Sequence, residues 1–541
     1  MIIEIAGRLK RWALRVPASV TVLLLAALLF LPWIGKSALF DRDETSYAEI
    51  VREMRESHDW LLPRLNGKEY FEKPVLPFWF MGVGYASFGV NEVGARIVSA
   101  LFGIGTALLT ASTGRRLFGP AAGMRAGVVV SSSLLFLIVS RSALTDPSFL
   151  FFFTAAIALF VRAWQSQSSR AGPWIATYAA VGLATLCKGP VGVVLPVTVI
   201  GSFALGEGGL ASLRRLRPAL GLSVIATVVV PWYAYAAWRT GGSSLREFVL
   251  RENVGRYLAP MEGHSGPIWI YIPALFVAFL PWSVFLPGAL RAPRQGEAYR
   301  LTVLWTVIPL AFFSLAATKL PHYLLPIFPA LAVLVGAAWD RRPSPESSPR
   351  LTLPLLFLVF LTSLFPAGIL LISRRWPELA SPVLVGCAAV LPAGALVALA
   401  FRRSSSAVFR ALAGTMVLFV WLLAGVAIPR LDEERVVKRI GLLLRETKGL
   451  PTYSYGFLEP GLAFYGARTI GRIDTPRQVA LMARTQPGFA LVAKESDLGA
   501  LLREINRPNV SVDFRRGFCE DKGRLNLVLV RRRPGDRRLH G

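Results

Sequence analysis

Cysteine and charged residues are scarce in this chain. It has 541 residues, of which 17% are charged and 54% are hydrophobic. The three cysteines, Cys187, Cys387 and Cys519, are scattered and odd in number, which excludes a disulfide framework and a CxxC-type metal site. The low charge content excludes an ordinary soluble globular protein, because a soluble surface needs more charged side chains. The composition is typical of a membrane protein.

Several familiar catalytic motifs are also missing. The sequence has no GxxxxGK(S/T) loop, no GxSxG turn and no HExxH pair. These absences argue against P-loop nucleotide hydrolysis, α/β-hydrolase chemistry and zincin chemistry. Acidic residues are few as well: the chain has 33 Asp and Glu and 60 Lys and Arg, which gives a formal net charge of +27. In a membrane protein the position of such charges decides their meaning.

Apolar runs of membrane-spanning length are abundant. About 20 apolar residues are needed to cross a hydrocarbon core of about 30 Å. The first run, Val16 to Ile34, is long enough to span, and no small-residue cleavage site follows it, which disfavours a signal peptide. We predict thirteen spans, near residues 16–37, 92–111, 120–139, 146–163, 174–187, 190–206, 219–237, 268–289, 300–317, 322–339, 351–372, 379–400 and 408–428.

Positive charge is concentrated on one side of the predicted membrane. With a cytoplasmic N-terminus, alternate connectors are rich in arginine, as the positive-inside rule requires. This bias explains much of the net charge, so we expect no nucleic-acid partner. Examples are Arg115, Arg116 and Arg125, then Arg214, Arg215 and Arg217, and then Arg402, Arg403 and Arg410.

The opposite face has a long first loop at about 38–90, a loop near 239–266 and a polar region after Pro429. The polar region alternates amphipathic stretches with short β-rich runs, which predicts a small α/β domain. The pattern is seen at Glu433 to Glu446, Phe489 to Val492 and Leu525 to Val530. The basic surface of this region suits anionic headgroups or simple solvation, and we favour solvation.

The predicted architecture is therefore a mainly α-helical, polytopic membrane protein. Residues 1–429 form the transmembrane domain, and its first loop, at 38–90, carries juxtamembrane helices. Residues 430–541 form a C-terminal α/β domain on the outer, periplasmic side.

Four carboxylates lie together directly after the first span. Residues 41–49 read Asp-Arg-Asp-Glu-Thr-Ser-Tyr-Ala-Glu and open a helical stretch that runs through Glu56. Asp43 and Glu44 lie near the positive N-terminal end of this predicted helix. Alternatively, Asp43 or Thr45 only caps the helix, and the other charges form a solvated surface.

Three lysines lie at the outer membrane edge, against the inside bias. Lys73 follows Glu72 between aromatic residues and prolines, and Lys188 and Lys319 return to the same face. A lysine ammonium neutralises phosphate as a compact charge, so the three lysines indicate a shared anionic ligand. Taken separately, each lysine could instead be an interfacial anchor, with its apolar stem in the membrane and its ammonium in water.

Further ionisable groups lie at the outer ends of spans. Arg141 and Asp146 are costly at that depth and usually pair or line a polar cavity, although Asp146 before Pro147 also fits a helix cap. His264 lies in the second outer loop and is a candidate metal ligand, with Glu72 as a second ligand distant in the sequence. Because no close ligand spacing accompanies it, hydrogen bonding without a metal is favoured.

Several of these segments together resemble a known family. They are Asp43-Glu44-Thr-Ser-Tyr47-Ala48-Glu49, Phe71-Glu72-Lys73-Pro74, Phe88-Gly89-Val90-Asn91-Glu92 and Lys319-Leu-Pro-His-Tyr323. Their order and common membrane side resemble the aminoarabinose transferase (ArnT) family, within the protein-mannosyltransferase-like GT-C membrane glycosyltransferases. The resemblance covers about residues 17–340 and the general layout of the later spans, whereas the tail carries no family motif.

The resemblance implies roles for particular residues. Asp43 would be the catalytic carboxylate, with Asp146 and Glu44 as further catalytic candidates. Lys73 and Tyr323 would contact the carrier phosphate. Lesser candidates for phosphate or donor binding are Arg246, Arg256, Lys188 and Lys319. Tyr47 and Arg141 are candidates for contact with the acceptor or for a structural role. Glu72 and His264 are candidates for binding a divalent metal ion, and no other cofactor is expected.

The expected activity is that of an integral membrane glycosyltransferase with an inverting mechanism. It would move a sugar from a polyprenyl phosphate, such as undecaprenyl phosphate, to an envelope acceptor such as lipid A. The reaction would take place at the periplasmic face of a bacterial inner membrane, with donor, lipid or glycan acceptor and membrane lipids as partners. The alternatives are a multi-span transporter or flippase, a protein O-glycosyltransferase and a noncatalytic receptor or scaffold. Arg42, Ser46 and the tail do not identify the donor sugar.

Overall fold

The computed structural model describes residues 17–40, 42–166, 170–261, 263–291, 296–340, 348–374, 381–447, 449–505, 510–519, 523–524 and 526–532. Some residues of the predicted elements lie outside this set. They are residues 1–16 and 533–541 of the two predicted domains, residues 379–380 of the twelfth predicted span and Leu525 of the last β-rich run.

Helices dominate the chain up to residue 432. In order they are Ala18–Phe30, Asp43–Ser57, Leu76–Phe88, Glu92–Phe118, Pro120–Ser131, Leu134–Ser140, Asp146–Ser166, Gly172–Lys188, Val191–Arg215, Pro218–Arg239, Ser243–Leu245, Arg246–Gly255, Arg256–Leu258, Ile268–Ile270, Tyr271–Ala278, Ser283–Phe285, Leu286–Arg291, Glu297–Leu315, Pro321–Ile327, Phe328–Asp340, Ser348–Ser373, Pro382–Ala400, Ser405–Leu422, Leu423–Ala427 and Ile428–Asp432. Arg246–Gly255 and Leu423–Ala427 are π-helical, and Ile268–Ile270, Ser283–Phe285 and Pro321–Ile327 are 3₁₀ turns.

Among the described residues, nine helices are long and apolar enough to cross a membrane, or up to eleven if each of two bent pairs counts as one span. Two further predicted spans correspond to shorter helices, Ala18–Phe30 with 13 residues and Gly172–Lys188 with 17 residues. The chain is thus a mainly helical, multi-span protein, and the count of thirteen stays a prediction.

The third predicted span is broken by serines. Pro120–Ser131 and Leu134–Ser140 meet at 67°. At the break, the Ser131, Ser132 and Ser133 hydroxyls donate hydrogen bonds to carbonyls four residues earlier. Such bonds compete with the helical ladder and bend helices.

The first loop begins with the Asp43–Ser57 helix, hereafter the first-loop helix. It ends at His58, which has left-handed backbone angles, and a short hairpin of Arg64–Leu65 and Lys68–Glu69 follows. The chain then enters the Leu76–Phe88 helix, whose Tyr85 hydroxyl donates to the Ala48 carbonyl. This contact fixes the first-loop helix against the membrane region.

The tail after residue 432 combines helices with a five-stranded mixed sheet. Gly471–Ile473, Thr452–Tyr455 and Phe489–Lys494 pair in parallel, and Leu527–Arg532 and Val510–Arg515 continue the sheet antiparallel. A separate small hairpin joins Phe518–Cys519 and Gly523–Arg524. The tail helices are Val436–Arg445, Pro460–Gly466, Pro476–Thr485, the 3₁₀ turn Glu495–Asp497 and Leu498–Ile505.

The Pro460–Gly466 helix, hereafter the docking helix, joins the tail to the first loop. Phe464 and Tyr465 are buried in the same apolar cluster as the membrane helices, not in the clusters of the sheet. The Tyr465 hydroxyl accepts from the Leu39 amide at 2.7 Å and donates to Glu92 at 3.3 Å. Lys438 also pairs with Glu92, at 2.8 Å. The tail therefore packs directly on the segment that carries the candidate acids.

Candidate functional site

A cavity of about 1010 Å³ opens between the first loop, the outer ends of several helices and the tail; it is hereafter the site cavity. Nine of the residues singled out from the sequence line it: Asp43, Tyr47, Glu72, Lys73, Asp146, Lys188, Arg256, His264 and Tyr323. Segments that are distant along the chain thus converge on one space.

Asp43 is exposed to the site cavity because of the backbone immediately before it. Arg42 has φ 73° and ψ −78°, a strained combination for a residue with a side chain, typical of a tight γ-turn. The turn ends the preceding loop, and Asp43 becomes the first residue of the first-loop helix. Strain of this kind is concentrated at functional sites, where the surrounding structure maintains it. Asp43 is therefore held at the positive end of a helix and lines the site cavity.

Glu44, the neighbouring residue, points away from the site cavity, and the structure corrects its expected catalytic placement. Its side chain is buried and accepts from Arg96 Nε at 2.8 Å and Arg96 Nη2 at 2.7 Å. The Phe40 and Ala143 amides also donate to it. Burial alone would raise the pKa of Glu44, but the Arg96 charge and these hydrogen bonds hold it below its usual value. Glu44 ties the first-loop helix to the segment before Asp146.

Asp146 and Lys188 form an ion pair within the site cavity. Asp146 begins the Asp146–Ser166 helix, Lys188 ends the Gly172–Lys188 helix, and the Lys188 ammonium donates directly to Asp146 Oδ1. The ammonium also lies 5.4 Å from the Tyr323 ring centroid and 5.3 Å from that of Phe149. Tyr323 is held in place by stacking on Phe313, at 4.7 Å between centroids.

Lys73 lies in the loop between the hairpin and the Leu76–Phe88 helix. Burial lowers its pKa; the negative charge of Glu72 opposes this shift, and the positive charges of Arg256 and Lys188 reinforce it. The electrostatic influence of Arg256 and Lys188 means that three cations converge on one region. Arg256 is itself paired with Glu252, at 2.8 Å. The region can bind an anion such as phosphate.

Two tyrosines lie between the acids. Burial raises the pKa of Tyr47 well above its usual value, and the negative charges of Asp43, Asp146 and Glu72 raise it further. The Tyr70 hydroxyl donates to Glu72 at 3.3 Å. Tyr47 therefore remains a neutral hydroxyl, which suits hydrogen bonding to a sugar.

Three other candidates do not line the site cavity: the structure corrects the expected placement of Lys319 and Arg246, and it gives Arg141 the structural one of its two expected roles. The Arg141 guanidinium donates to the Leu29, Phe30 and Pro32 carbonyls at the end of the first helix. The Lys319 ammonium donates to the last carbonyls of the Glu297–Leu315 helix. Both interactions cap helix C-termini. Arg246 is exposed on the surface at the start of its π-helix.

The donors for a metal ion do not form a complete set in the described part of the chain. Glu72 and His264 both line the site cavity, but no group of three or more His, Cys, Asp or Glu suitable for a metal occurs among the described residues. A stable divalent site needs more protein ligands than this pair provides.

Several lining residues were not singled out as site residues from the sequence. Arg42 lies directly before the first quoted motif and His322 inside the last one, so their proximity to those motifs was a usable signal, whereas Glu252 lies in the second outer loop near Arg256. Glu459 gave no such signal, because it lies in the motif-poor tail. It is 4% exposed and lines the site cavity together with Leu458 and Pro460, directly before the docking helix. The tail thus forms part of the cavity wall.

Comparison with protein families and curated proteins gives consistent matches. The model of the dolichyl-phosphate-mannose-protein mannosyltransferase family matches residues 18–244. The chain is 33% identical over 365 residues to the undecaprenyl phosphate-α-4-amino-4-deoxy-L-arabinose arabinosyl transferase of Edwardsiella ictaluri, a match that covers 66% of this chain and 65% of the relative. It is 35% identical over 347 residues to the protein of the same name from Pseudomonas aeruginosa strain UCBPP-PA14, covering 62% and 61%. The alignments thus span less than two thirds of these relatives.

The similarity to solved structures extends further. The crystal structure of ArnT from Cupriavidus metallidurans bound to undecaprenyl phosphate superposes with a TM-score of 0.79 at 25% identity, over 94% of this chain and 97% of that one. The chain thus shares the fold of that ArnT structure over nearly the whole length of both. The archaeal oligosaccharyltransferase AglB of Archaeoglobus fulgidus shares only the fold, with a TM-score of 0.53 at 11% identity, covering 91% and 71%. The matched family model includes the first loop, Asp146 and Lys188, which all contribute to the site cavity.

Proposed function

We propose that this protein is an integral membrane glycosyltransferase that moves a sugar from a polyprenyl phosphate to an envelope acceptor such as lipid A. The observation that carries the proposal is the site cavity itself, where a first-loop carboxylate faces a cluster of cations. The names of the curated relatives, which include undecaprenyl phosphate and arabinosyl transferase, support a lipid-phosphate donor.

Asp43 acts as the base in this proposal. The acceptor hydroxyl attacks the anomeric carbon of the sugar, its proton passes to the Asp43 carboxylate, and a new C–O bond forms. The bond between the anomeric carbon and the phosphate oxygen breaks, and the polyprenyl phosphate leaves with the electron pair. Attack opposite the leaving group inverts the anomeric centre. Where the acceptor is itself a phosphate, Asp43 instead stabilises positive character at the anomeric carbon.

The leaving phosphate is stabilised by the convergent cations. Lys73, Lys188 and Arg256 place three positive charges along the same part of the site cavity, and Tyr323 adds a hydroxyl. Preorganised cations at the site of developing charge lower the barrier more than mobile water does. The half-buried position of Lys73 strengthens this interaction, because screening by solvent is weaker there.

The prenyl chain leaves the site cavity along an apolar wall. Val194, Val254 and Leu258 line the site cavity, and they are also 41%, 45% and 72% exposed at the surface of the protein. Apolar side chains that face both a polar cavity and the exterior suit a path between the site and lipid. The phosphate would then lie among the cations while the chain extends into the membrane.

The proposal includes a cellular location and a domain organisation. The basic connectors predict a bacterial inner membrane orientation in which the first loop and the tail face the periplasm. Residues 1–429 form the GT-C transmembrane domain, with the first loop at 38–90, and residues 430–541 form the periplasmic α/β domain. Nucleotide sugars are not available on that face, which supports a lipid-linked donor.

The decisive experiment compares wild-type protein with Asp43→Asn in detergent. Both are incubated with a panel of undecaprenyl phosphate sugars and with either lipid A or a hydroxyl-bearing peptide. We expect wild-type transfer to lipid A and a loss of at least about 10³-fold in the variant, with equal folding and equal donor binding. Transfer to the peptide instead would identify a protein O-glycosyltransferase.

Two outcomes would contradict the proposal. An equally active Asp43→Asn variant would remove Asp43 from the base role. If neither protein transfers any sugar although wild type moves lipid between the leaflets of a proteoliposome, the chain is a flippase. His58→Asn, a substitution outside the site cavity at the other end of the same helix, is the matched control and should keep full activity.

A further inference from the structure

The Lys188 ammonium can interact with two anions, the Asp146 carboxylate and the proposed donor phosphate. The ammonium is already bound to Asp146, and the two side chains are only 12% and 10% exposed. The same ammonium faces the Tyr323 ring and lies in the region where Lys73 and Arg256 converge. The proposed donor phosphate occupies this region, so the phosphate and Asp146 must share one lysine.

Two anions on one ammonium compete with each other. A carboxylate already paired in a largely buried position neutralises much of the charge that a phosphate would use. Bringing a second anion to the same lysine adds repulsion between like charges. A phosphate therefore binds less tightly to a lysine held by Asp146 than to an unshared lysine.

The charge of the lipid changes during the proposed reaction. The donor is a phosphodiester with one negative charge, whereas the leaving polyprenyl phosphate is a monoester whose second pKa is near 6. At neutral pH the product is more negative than the donor and binds the cations more strongly. A cluster built only of cations would retain the product and slow turnover, because product release often limits the rate of an enzyme.

We propose that Asp146 competes with polyprenyl phosphate for Lys188 and thereby promotes release of the lipid product. Asp146 is a positioning residue in this account, since it acts through Lys188 and not on the reacting carbon. The inference rests on the proposed polyprenyl-phosphate donor and adds a role that is distinct from that of Asp43.

The test is equilibrium binding of undecaprenyl phosphate to purified full-length protein in detergent. Asp146→Asn should bind this lipid about tenfold more tightly than wild type, although a charged group that lines the site cavity has been removed. Product inhibition by undecaprenyl phosphate should increase in parallel, and kcat should fall without a rise in KM, because the donor phosphate gains the same unshared lysine. Asp146→Ser, which keeps a small polar group at the helix start, provides a second variant for the same measurement.

A double-substitution cycle separates this role from a general effect of charge. In the Lys188→Met background, Asp146→Asn should no longer tighten binding, because the shared lysine is gone. Glu247→Gln is the matched control: it removes the same charge from the Arg251 pair, which is on the surface, and should leave the affinity unchanged.

The outcomes distinguish the two proposals. Wild-type protein without saturable undecaprenyl phosphate binding would overturn the proposed function and this inference together. Saturable wild-type binding with equal or weaker binding by both Asp146 variants would overturn the inference alone. Tightening that persists unchanged in the Lys188→Met background would also overturn it, because Asp146 would then act without Lys188.

Discussion

The first loop and the tail contribute to the same site cavity in different ways. The first loop places Arg42, Asp43, Glu72 and Lys73 on the wall, so it brings charged groups of both signs. Among its described residues the tail brings one charged residue, Glu459, directly before the docking helix that packs on the first loop. The loop thus has a dense local motif, whereas the tail depends on contacts between segments that are distant along the chain.

This difference has a physical origin. A helix start and a tight turn position Asp43 through local backbone geometry, so neighbouring residues in the sequence carry the signal. Glu459 reaches the site cavity through contacts between distant segments, such as those of Tyr465 with Leu39 and Glu92 and of Asn66 with Ile470. Long-range packing of this kind leaves no short motif. The comparison predicts large effects from substitutions in the loop and smaller ones from substitutions in the tail.

The largest expected effect on stability is that of Glu44→Gln. The substitution leaves the buried Arg96 guanidinium without its carboxylate, and breaking a buried ion pair costs about 3–5 kcal/mol. Thermal unfolding in detergent should therefore shift strongly downward. Asp43→Asn, one residue away but exposed, should unfold near the wild-type temperature. An unchanged transition for Glu44→Gln would show that the pair does not hold the loop.

Lys73→Met should weaken undecaprenyl phosphate binding by about tenfold to a hundredfold, the value of a hydrogen bond to a charged group. Because burial lowers the pKa of Lys73, this lysine loses its charge at a lower pH than an exposed lysine. Wild-type affinity should fall as pH rises through that lowered pKa, and the variant should lack this step. Lys68→Met removes an exposed lysine of the same loop and should leave the affinity and its pH profile intact.

Glu459→Gln tests whether the tail takes part in substrate recognition. Its buried carboxylate lines the site cavity, so we expect kcat/KM to fall about tenfold, corresponding to about 1.4 kcal/mol, with folding preserved. Glu504→Gln changes an exposed acid elsewhere in the tail and should be silent. Full activity of Glu459→Gln would show that the tail lines the site cavity without taking part in substrate recognition.

Tyr465→Phe should have the smallest effect on activity, because Tyr465 does not line the site cavity. The variant loses the hydrogen bonds to Leu39 and Glu92, which together contribute about 1–2 kcal/mol to docking. Limited proteolysis should then release the tail faster. Asp474→Asn breaks an exposed pair with Arg472, at 53% and 52% exposure, and should change stability by less than about 0.5 kcal/mol. Equal proteolysis of both variants would contradict the docking role of Tyr465.

The sequence was most informative about groups that act through local geometry. The apolar runs predicted a multi-span helical protein, and the short motifs predicted that Asp43, Lys73, Asp146, Lys188 and Tyr323 belong to one site; all five line the site cavity. Their chemical roles stay predictions. The sequence was misleading for Lys319 and left Arg141 open between a structural and an acceptor-contacting role, because an outer cation that caps a helix has the same local pattern as one that faces a ligand.

By itself, the sequence determined the membrane class and the candidate chemistry of the first loop, because hydrophobic length and residue type are local properties. Only the tertiary structure decided which of two adjacent acids faces the site cavity. Consecutive residues of a helix point about 100° apart, so packing against Arg96 buries Glu44 and leaves Asp43 exposed. The pairing of Asp146 with Lys188 and the closure by Glu459 were decided in the same way, since both depend on contacts between segments that the chain order does not bring together.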